Sequence, residues 1–520
     1  MKLIYDHVRL WYWFYLLILP LFLISCSTQE KEVEKESKMP NIIYILADDM
    51  GYGDVSVLNN KSKIQTTSID LLAETGIVFT DAHSTSAVCT PSRYSILTGR
   101  YPWRSDLPKG VLWTNDGAFI RQERETVASM LQKQGYNTGV IGKWHLGWDW
   151  VFKSEDSKEI DFSKEVSRSP NTAGFDYSYC ILASLDIPPY VYVENTKPTA
   201  VPDSIVPGTS IGQYDFWRTG LLAPDLRFDD VLPNFTRRAV GFIEKQNEEK
   251  PFFLYFPLAA PHTPIVPSKE FQGKSGVNPY LDFCLEVDWS VGEIIKALKQ
   301  KGVYDNTIVV FASDNGSSSR SANYPVLLSN GHNSSGGVRG AKGDIFEGGH
   351  RIPFIMSFPK LLKEKREYTK PVSLVDFMAT VADVTNFELN DQTAEDSFSL
   401  YSLLQNNNSE LPERPVVNAA SSGSLALREN QWKLEMCAGS GGWLSHPTNK
   451  EAEEAGLPKY QLYNLNADPT EQYNLIESNE KRVAEMTSRL KDYVKNGRTT
   501  SGAFQKNNTD LSEQYEWMLN

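Results

Sequence analysis

Two stretches far apart in the chain share one pattern, an unbroken apolar run closed by acids. Asn41-Ile42-Ile43-Tyr44-Ile45-Leu46-Ala47 ends in Asp48-Asp49, and Ile308-Val309-Val310-Phe311-Ala312 ends in Ser313-Asp314-Asn315-Gly316. A run with no polar alternation has no face to give to water, so each is predicted as a strand covered on both sides. Carboxylates at the C-terminal tip of such a strand stand where an open α/β sheet presents its ligands. Taken alone, Asp48-Asp49 also suits a solvated turn.

Two further strands deliver polar groups in the same way. Tyr136 to Ile141 exits into Gly142-Lys143-Trp144-His145-Leu146-Gly147, and Phe252 to Phe256 into Pro261-His262-Thr263-Pro264. Between these strands, helices are predicted from Ile69 to Glu74, stopped by Gly76, then over Thr126 to Gln134, Leu281 to Gln300 and Leu374 to Val384. Shorter strands are predicted at Ile77 to Phe79 and Ile352 to Phe358. Alternating strands and helices give an α/β fold with a mostly parallel sheet. From 148 to 235 the alternation breaks, and Trp148, Trp150, Tyr177, Tyr179, Tyr190, Tyr192 and Trp217 stand among prolines. Those aromatics fit a sugar-binding wall or packing onto the layer beneath.

Cys89-Thr90-Pro91-Ser92-Arg93 carries a different signal. Thr90 is a good helix N-cap and Pro91 suits the first helical position, which puts Cys89 at a helix N-terminus with Arg93 one turn on. The macrodipole there favours developing negative charge. An isolated cysteine at such a place also packs as a plain buried residue.

Asp48, Asp49, Asp314 and Asn315 are oxygen donors with no His or Cys among them, the donor set of a hard cation, which favours Ca²⁺ over Zn²⁺; Mg²⁺ is the alternative. Gly316 to Gly337 is a Ser/Gly/Asn-rich loop, followed by Arg339, Lys342 and the glycine pair 348–349. Glycines beside basic groups suit backbone close to an anion, or a solvated loop. Beyond the polar stretch Asn406 to Glu410 come short strands at 415–419, 424–427 and 432–436, then a helix with Val483, Met486, Leu490 and Val494 on one face, which together predict a small α+β unit.

The chain of 520 residues carries 65 Asp and Glu against 52 Lys and Arg, a net charge of −13. That balance argues against nucleic acid as a partner and requires any anionic substrate to meet a local cationic pocket. Lys2 and Arg9 flank an n-region, and Leu10 to Ile24 is an apolar run too short for a confident membrane span, so 1–25 reads as a signal peptide. Leu23-Ile24-Ser25-Cys26 resembles a bacterial lipobox, which places Cys26 as a lipidated N-terminus anchored in the cell envelope; a secreted or periplasmic soluble product is the alternative. The expected organisation is a lipoprotein signal peptide at 1–25, a flexible tether at 26–39, a catalytic domain at 40–405 and a C-terminal subdomain at 406–520. Cys180, Cys284 and Cys437 imply no disulfide framework.

Cys-x-Pro-x-Arg at 89–93, with Thr98-Gly99 after it, resembles the signature of the type I, formylglycine-dependent sulfatases, arylsulfatase-like members of the alkaline phosphatase superfamily. The resemblance continues in order along the mature chain, including Asn466-Ala467-Asp468-Pro469 near the C-terminus. It implies a large mixed, mostly parallel sheet sandwiched by helices. It also implies that a formylglycine-generating or anaerobic maturation enzyme oxidises Cys89 to formylglycine. Asp48, Asp49, Asp314 and Asn315 match the family's calcium ligands, with Cys89 beside them. Cys89 and Arg93 match the nucleophile and its supporting arginine, Lys143 and His145 the Lys-x-His pair, His262 the later histidine, and Lys342 the lysine after the glycine loop. Phe346 departs from the Trp common before Glu-Gly-Gly. The implied chemistry is attack on sulfur from residue 89, with Ca²⁺, Lys143, Lys342 and Arg93 on the sulfate, His262 as acid and His145 as base. The implied substrate is a sulfated poly- or oligosaccharide. A phosphodiesterase or phosphonate hydrolase of the same superfamily is the alternative, as is an inactive glycan-binding lipoprotein at the cell surface.

Overall fold

Strand β1 (Asn41–Ala47) is the centre of the molecule, and its continuous apolarity has a direct structural cause. Ile42, Tyr44 and Leu46 belong to the core on one side of the sheet, and Ile43, Ile45 and Ala47 to the core on the other. The computed structural model describes residues 38–520 apart from 213, 248, 407–408, 512–514 and 516–520. The expected signal peptide, the Cys26 lipidation site and all of the tether but its last two residues lie outside the described residues.

In chain order β1 is followed by α1 (Thr67–Glu74), β2 (Gly76–Phe79), α2 (Cys89–Thr98), α3 (Val127–Lys133), β3 (Asn137–Lys143) and β4 (Tyr177–Ile181). Then come β5 (Val193–Glu194), β6 (Lys197–Pro198), α4 (Val231–Lys245), β7 (Phe252–Pro257), α5 (Pro279–Gln300), β8 (Thr307–Ser313), β9 (Phe354–Ser357), β10 (Arg366–Tyr368) and α6 (Phe377–Thr385). The ten strands of the main sheet lie in the order β10-β2-β9-β8-β1-β7-β3-β4-β5-β6. The run β8-β1-β7-β3-β4 is parallel throughout, with Ile42 opposite both Phe253 and Ile308. β9 is antiparallel to β8 and to β2, so the sheet is mixed but mostly parallel. Helices α1, α4 and α5 cover one face, and α2, α3 and α6 the other.

Near the C-terminus β11 (Val416–Ala419), β12 (Leu425–Glu429), β13 (Trp432–Glu435) and β14 (Gln461–Asn464) form a separate antiparallel sheet, against which α7 (Glu480–Asn496) lays Met486, Leu490 and Val494. Residues 40–520 form one compact unit. No helix among the described residues is long and apolar enough to cross a membrane.

Local differences from the sequence reading have identifiable causes. Val88, not Thr90, caps α2, because Val88 is the last extended residue (φ −144°) and Cys89 is already helical. The Thr90 hydroxyl instead donates to the His145 carbonyl at 3.0 Å. Gly76 does not stop α1; it opens β2, where a Cβ would lie 2.5 Å from the Leu72 carbonyl oxygen. β9 starts only after Pro353, which has no N–H for a ladder. For the aromatic insertion, packing onto the layer beneath, one of the two readings the sequence left open, is what the structure has for most of its rings. Trp148, Tyr179, Tyr190 and Tyr192 are buried, and Trp217 stacks on Phe228 at 4.7 Å.

Candidate active site

Because β1, β3, β7 and β8 run parallel, their C-terminal tips open on one edge of the sheet, and the polar groups that the sequence places after these strands arrive there. Asp48 and Asp49 follow β1, Lys143 ends β3 with His145 just beyond, His262 follows β7, and Asp314 and Asn315 follow β8. Helix α2 brings Cys89 and Arg93 to the same edge. Lys342 arrives on the glycine loop. All are buried.

The Cys89 Sγ lies 3.5 Å from Asp48 Oδ1 and 3.6 Å from Lys342 Nζ. Lys143 Nζ grips both oxygens of Asp48, at 2.9 and 2.7 Å. Lys342 Nζ is 2.8 Å from each oxygen of Asp49, and Asn315 Nδ2 donates to Asp49 Oδ1 at 2.7 Å. Arg93 donates to Asp314 Oδ2 through Nε (3.0 Å) and Nη2 (2.7 Å), and through Nη1 to the Lys143 carbonyl (2.9 Å). Its guanidinium therefore braces the acidic cluster, just behind the residues that line the pocket. Asp49 (φ 67°) and His145 (φ 53°) hold left-handed backbone, an unfavourable conformation for such residues that clusters at functional sites.

Charge follows from this packing. Burial would raise the Asp48 carboxyl, but Lys143, His262, Arg93 and Lys342 outweigh it and hold it well below the usual carboxylate range. Burial, with the charge of Asp48, raises Asp314 despite Arg93. Burial pushes the Cys89 thiol up to about 12, against the pull of Lys143 and Lys342. Burial, reinforced by Lys143 and Arg93, holds His145 well below the usual imidazole range, so it is neutral.

The oxygen donors Asp48, Asp49 and Asn315 suit a hard divalent cation, although the cluster also brings a thiol and an imidazole. Asp48, Asp49, Cys89 and His262 each bring one atom within 4.8 Å of the others. Asn315 Oδ1, a buried amide oxygen beside them, has no hydrogen-bond partner, as an oxygen reserved for a cation would. Asp314, outside that group of four, is tied to the same turn by its Oδ1, which accepts from the Asp49 N–H at 3.2 Å.

Above Cys89 opens a pocket of about 540 Å³ lined by Cys89, His145, His262 and Lys342 with residues from distant segments. His145 Nε2 meets the Leu112 carbonyl at 3.1 Å, while its Nδ1 has no partner. His262 Nδ1 meets the Thr263 carbonyl at 2.7 Å, leaving Nε2 3.6 Å from Asp49 Oδ2.

The structure also supplies groups the sequence did not signal. Asp54 Oδ2 accepts from the Gly51 N–H (2.8 Å) and the Tyr280 hydroxyl (2.5 Å), and its Oδ1 from Ser334 (2.5 Å), with His332 Nε2 at 2.8 Å. This network fixes the Asp48-Asp49 turn. Among the nearby glycines, Gly316 serves a close approach of two backbone segments, since a Cβ there would lie 1.9 Å from the Gly348 oxygen. Arg339 likewise turns away, donating to the Glu471 carbonyl at 2.6 Å. A second buried set, His83, Glu347 and His350, is internally paired. Asp81 holds His83 (2.8 Å), His83 and His350 face each other through Nδ1 (3.0 Å), and Lys433 holds Glu347 (3.2 Å).

The comparisons agree with this geometry. The family model described as Sulfatase matches residues 40–387. An N-acetylgalactosamine-6-O-sulfatase of Bacteroides thetaiotaomicron is 32% identical over 511 residues, covering 90% of this chain and 96% of the relative. Human arylsulfatase A is 30% identical over 459 residues, covering 85% and 84%. A solved B. thetaiotaomicron structure, reported with that organism's metabolism of multiple glycosaminoglycans, superposes with a TM-score of 0.78 at 32% identity, covering 88% of this chain and 99% of that one. With a sulfatase sheet, its acids at the strand tips and relatives matched along most of their length, this chain belongs to the sulfatase family and is a sulfuric ester hydrolase.

Proposed function

We propose that this enzyme removes sulfate from a sulfated carbohydrate, with N-acetylgalactosamine 6-sulfate the first substrate to test, through an oxidised Cys89 and a bound Ca²⁺. The observation that carries the reading is Cys89 at the floor of an open pocket, within 3.6 Å of both an acidic cluster and a lysine. The Bacteroides relative supports the choice of sugar.

Asp48, Asp49, Asp314 and Asn315 would hold the cation. When bound, Ca²⁺ supplies a positive pole for sulfate oxygens and the formylglycine made from Cys89 supplies the nucleophile. The chain's own residues do the rest. Lys342, on the pocket wall, donates to sulfate oxygens as charge spreads over them. Arg93 and Lys143 hold Asp314 and Asp48 in place. His262, anchored at Nδ1, presents Nε2 to protonate the departing sugar oxygen. His145 donates its Nε2 proton to Leu112, which leaves a lone pair on Nδ1 to take a proton at position 89. We further propose that a maturation enzyme converts Cys89 and that lipidation at Cys26 anchors the protein in a bacterial envelope; Cys26→Ser would then release it to the soluble fraction.

The test is sulfate release from N-acetylgalactosamine 6-sulfate and 4-nitrophenyl sulfate, with 4-nitrophenyl phosphate as control and mass spectrometry of residue 89. Sulfate turnover by enzyme carrying the aldehyde is expected. Turnover by wild type with an unmodified Cys89, or faster phosphate than sulfate release, would reject the reading.

A further inference from the structure

The pocket above Cys89 changes character from floor to rim. The floor carries Lys342, His145 and His262 around Cys89, and the Lys342 ammonium makes it the end suited to sulfate. The rim is assembled from three separate segments: Trp113 before α3, Asp186 and Arg218 from the insertion, and Trp443 from the loop after β13. Both tryptophans are 49% exposed, which leaves part of each ring open at the mouth of the pocket. Each is nonetheless fixed in place. The Arg218 guanidinium lies 5.0 Å from the Trp113 ring centroid, and the Trp443 ring sits on Gly343, where a Cβ would come within 3.0 Å of it. Asp186 is only 8% exposed. Its Oδ2 accepts from Arg218 Nη1 at 2.5 Å, but its Oδ1 has no partner. A carboxylate oxygen withdrawn from water without a donor implies one that arrives with a ligand.

Resting on the sulfatase reading of the floor, we propose that this rim is the sugar-ring subsite. Trp113 and Trp443 contact an otherwise uncharged pyranose, and Asp186 Oδ1 accepts from one of its hydroxyl or amide groups. Aromatic rings suit the C–H faces of a pyranose, and the Arg218 charge is already matched by Asp186. A second sulfate on the same ring would therefore meet a carboxylate with no spare cation beside it. The enzyme selects singly sulfated rings.

The test compares kcat/KM for N-acetylgalactosamine 6-sulfate, its 4,6-disulfate and 4-nitrophenyl sulfate. Wild type should prefer the monosulfate to the disulfate at least tenfold. Trp443→Ala and Asp186→Ala should each lower the ratio of sugar-sulfate to aryl-sulfate specificity at least tenfold, mainly through KM, with Trp443→Phe and Asp186→Asn recovering most of it. Parallel losses on sugar and aryl sulfate, or an unchanged ratio, overturn the rim assignment and leave the sulfatase reading standing. Aryl turnover with no release from any sugar by wild type overturns the carbohydrate reading and the rim together.

Discussion

Lys342→Met tests the proposed division of labour at the pocket floor most directly. Lys342 Nζ sits 2.8 Å from Asp49 and 3.6 Å from Cys89 Sγ, on the wall that the substrate meets. Burial opposes its charge, but Asp49, Cys89 and Asp48 outweigh burial and keep the ammonium's pKa above its ordinary range, so it is a fixed cation throughout the working pH range. Methionine keeps the length of the stem and removes only the charge and donors. The acidic turn should survive, because Asp49 retains the Asn315 amide at 2.7 Å and Asp48 retains Lys143. What is lost is one preorganised donor at the developing charge, a loss worth a factor of about 10²–10³ in kcat, or about 2.7–4 kcal/mol. Arginine should not rescue it, since a planar fork does not fit where a compact ammonium sits. The assay is kcat and KM on 4-nitrophenyl sulfate, with mass spectrometry confirming the same state of residue 89 in variant and wild type. A kcat within about threefold of wild type, with only KM raised, would show that Lys342 merely positions Asp49.

Three further perturbations probe the cation, the frame and the titration of the core. Ca²⁺ should raise the thermal midpoint and EDTA lower it, by the equivalent of about 2.7 kcal/mol at a hundredfold excess over Kd; Asp314→Asn should abolish the shift, and its persistence would remove Asp314 from the ligands. Lys433 is buried against Glu347, Glu435 and Glu471 at 3.2, 3.1 and 2.6 Å, so Lys433→Met removes the cation these three buried carboxylates share and should cost about 3–5 kcal/mol in denaturant unfolding. A change below about 1 kcal/mol would contradict that. Burial pushes Glu286 up to about 7, which favours its neutral form in the folded state. Its contribution is thus complete below its ordinary pKa and is lost as pH rises through about 7, so at pH ~8 Glu286→Gln should be more stable than wild type by up to about 3 kcal/mol. The gap should close below pH ~5; a pH-independent difference would refute the assignment.

The sequence by itself determined the central strands and their tips. The runs 41–47 and 308–312 read as doubly covered strands because neither alternates polar with apolar residues to offer water a face, and the acids that follow them had to emerge at the sheet edge. Cys89, Lys143, His145 and His262 were legible at element ends, whereas only the family resemblance set Lys342 apart from Arg339 on the same glycine loop. Tertiary structure alone decided the partners. Nothing near Arg93 in the chain shows that it spends its donors on Asp314, or that Tyr280 and His332 brace the Asp48 turn through Asp54. It also decided between the two readings of the aromatic insertion, most of whose rings pack into the core while Asp186 and Arg218 reach the pocket. Periodicity and element ends are local properties written in neighbouring residues. The meeting of Trp113, Asp186, Arg218 and Trp443 at one rim is set by how the loops pack over the sheet, and no short-range pattern records it.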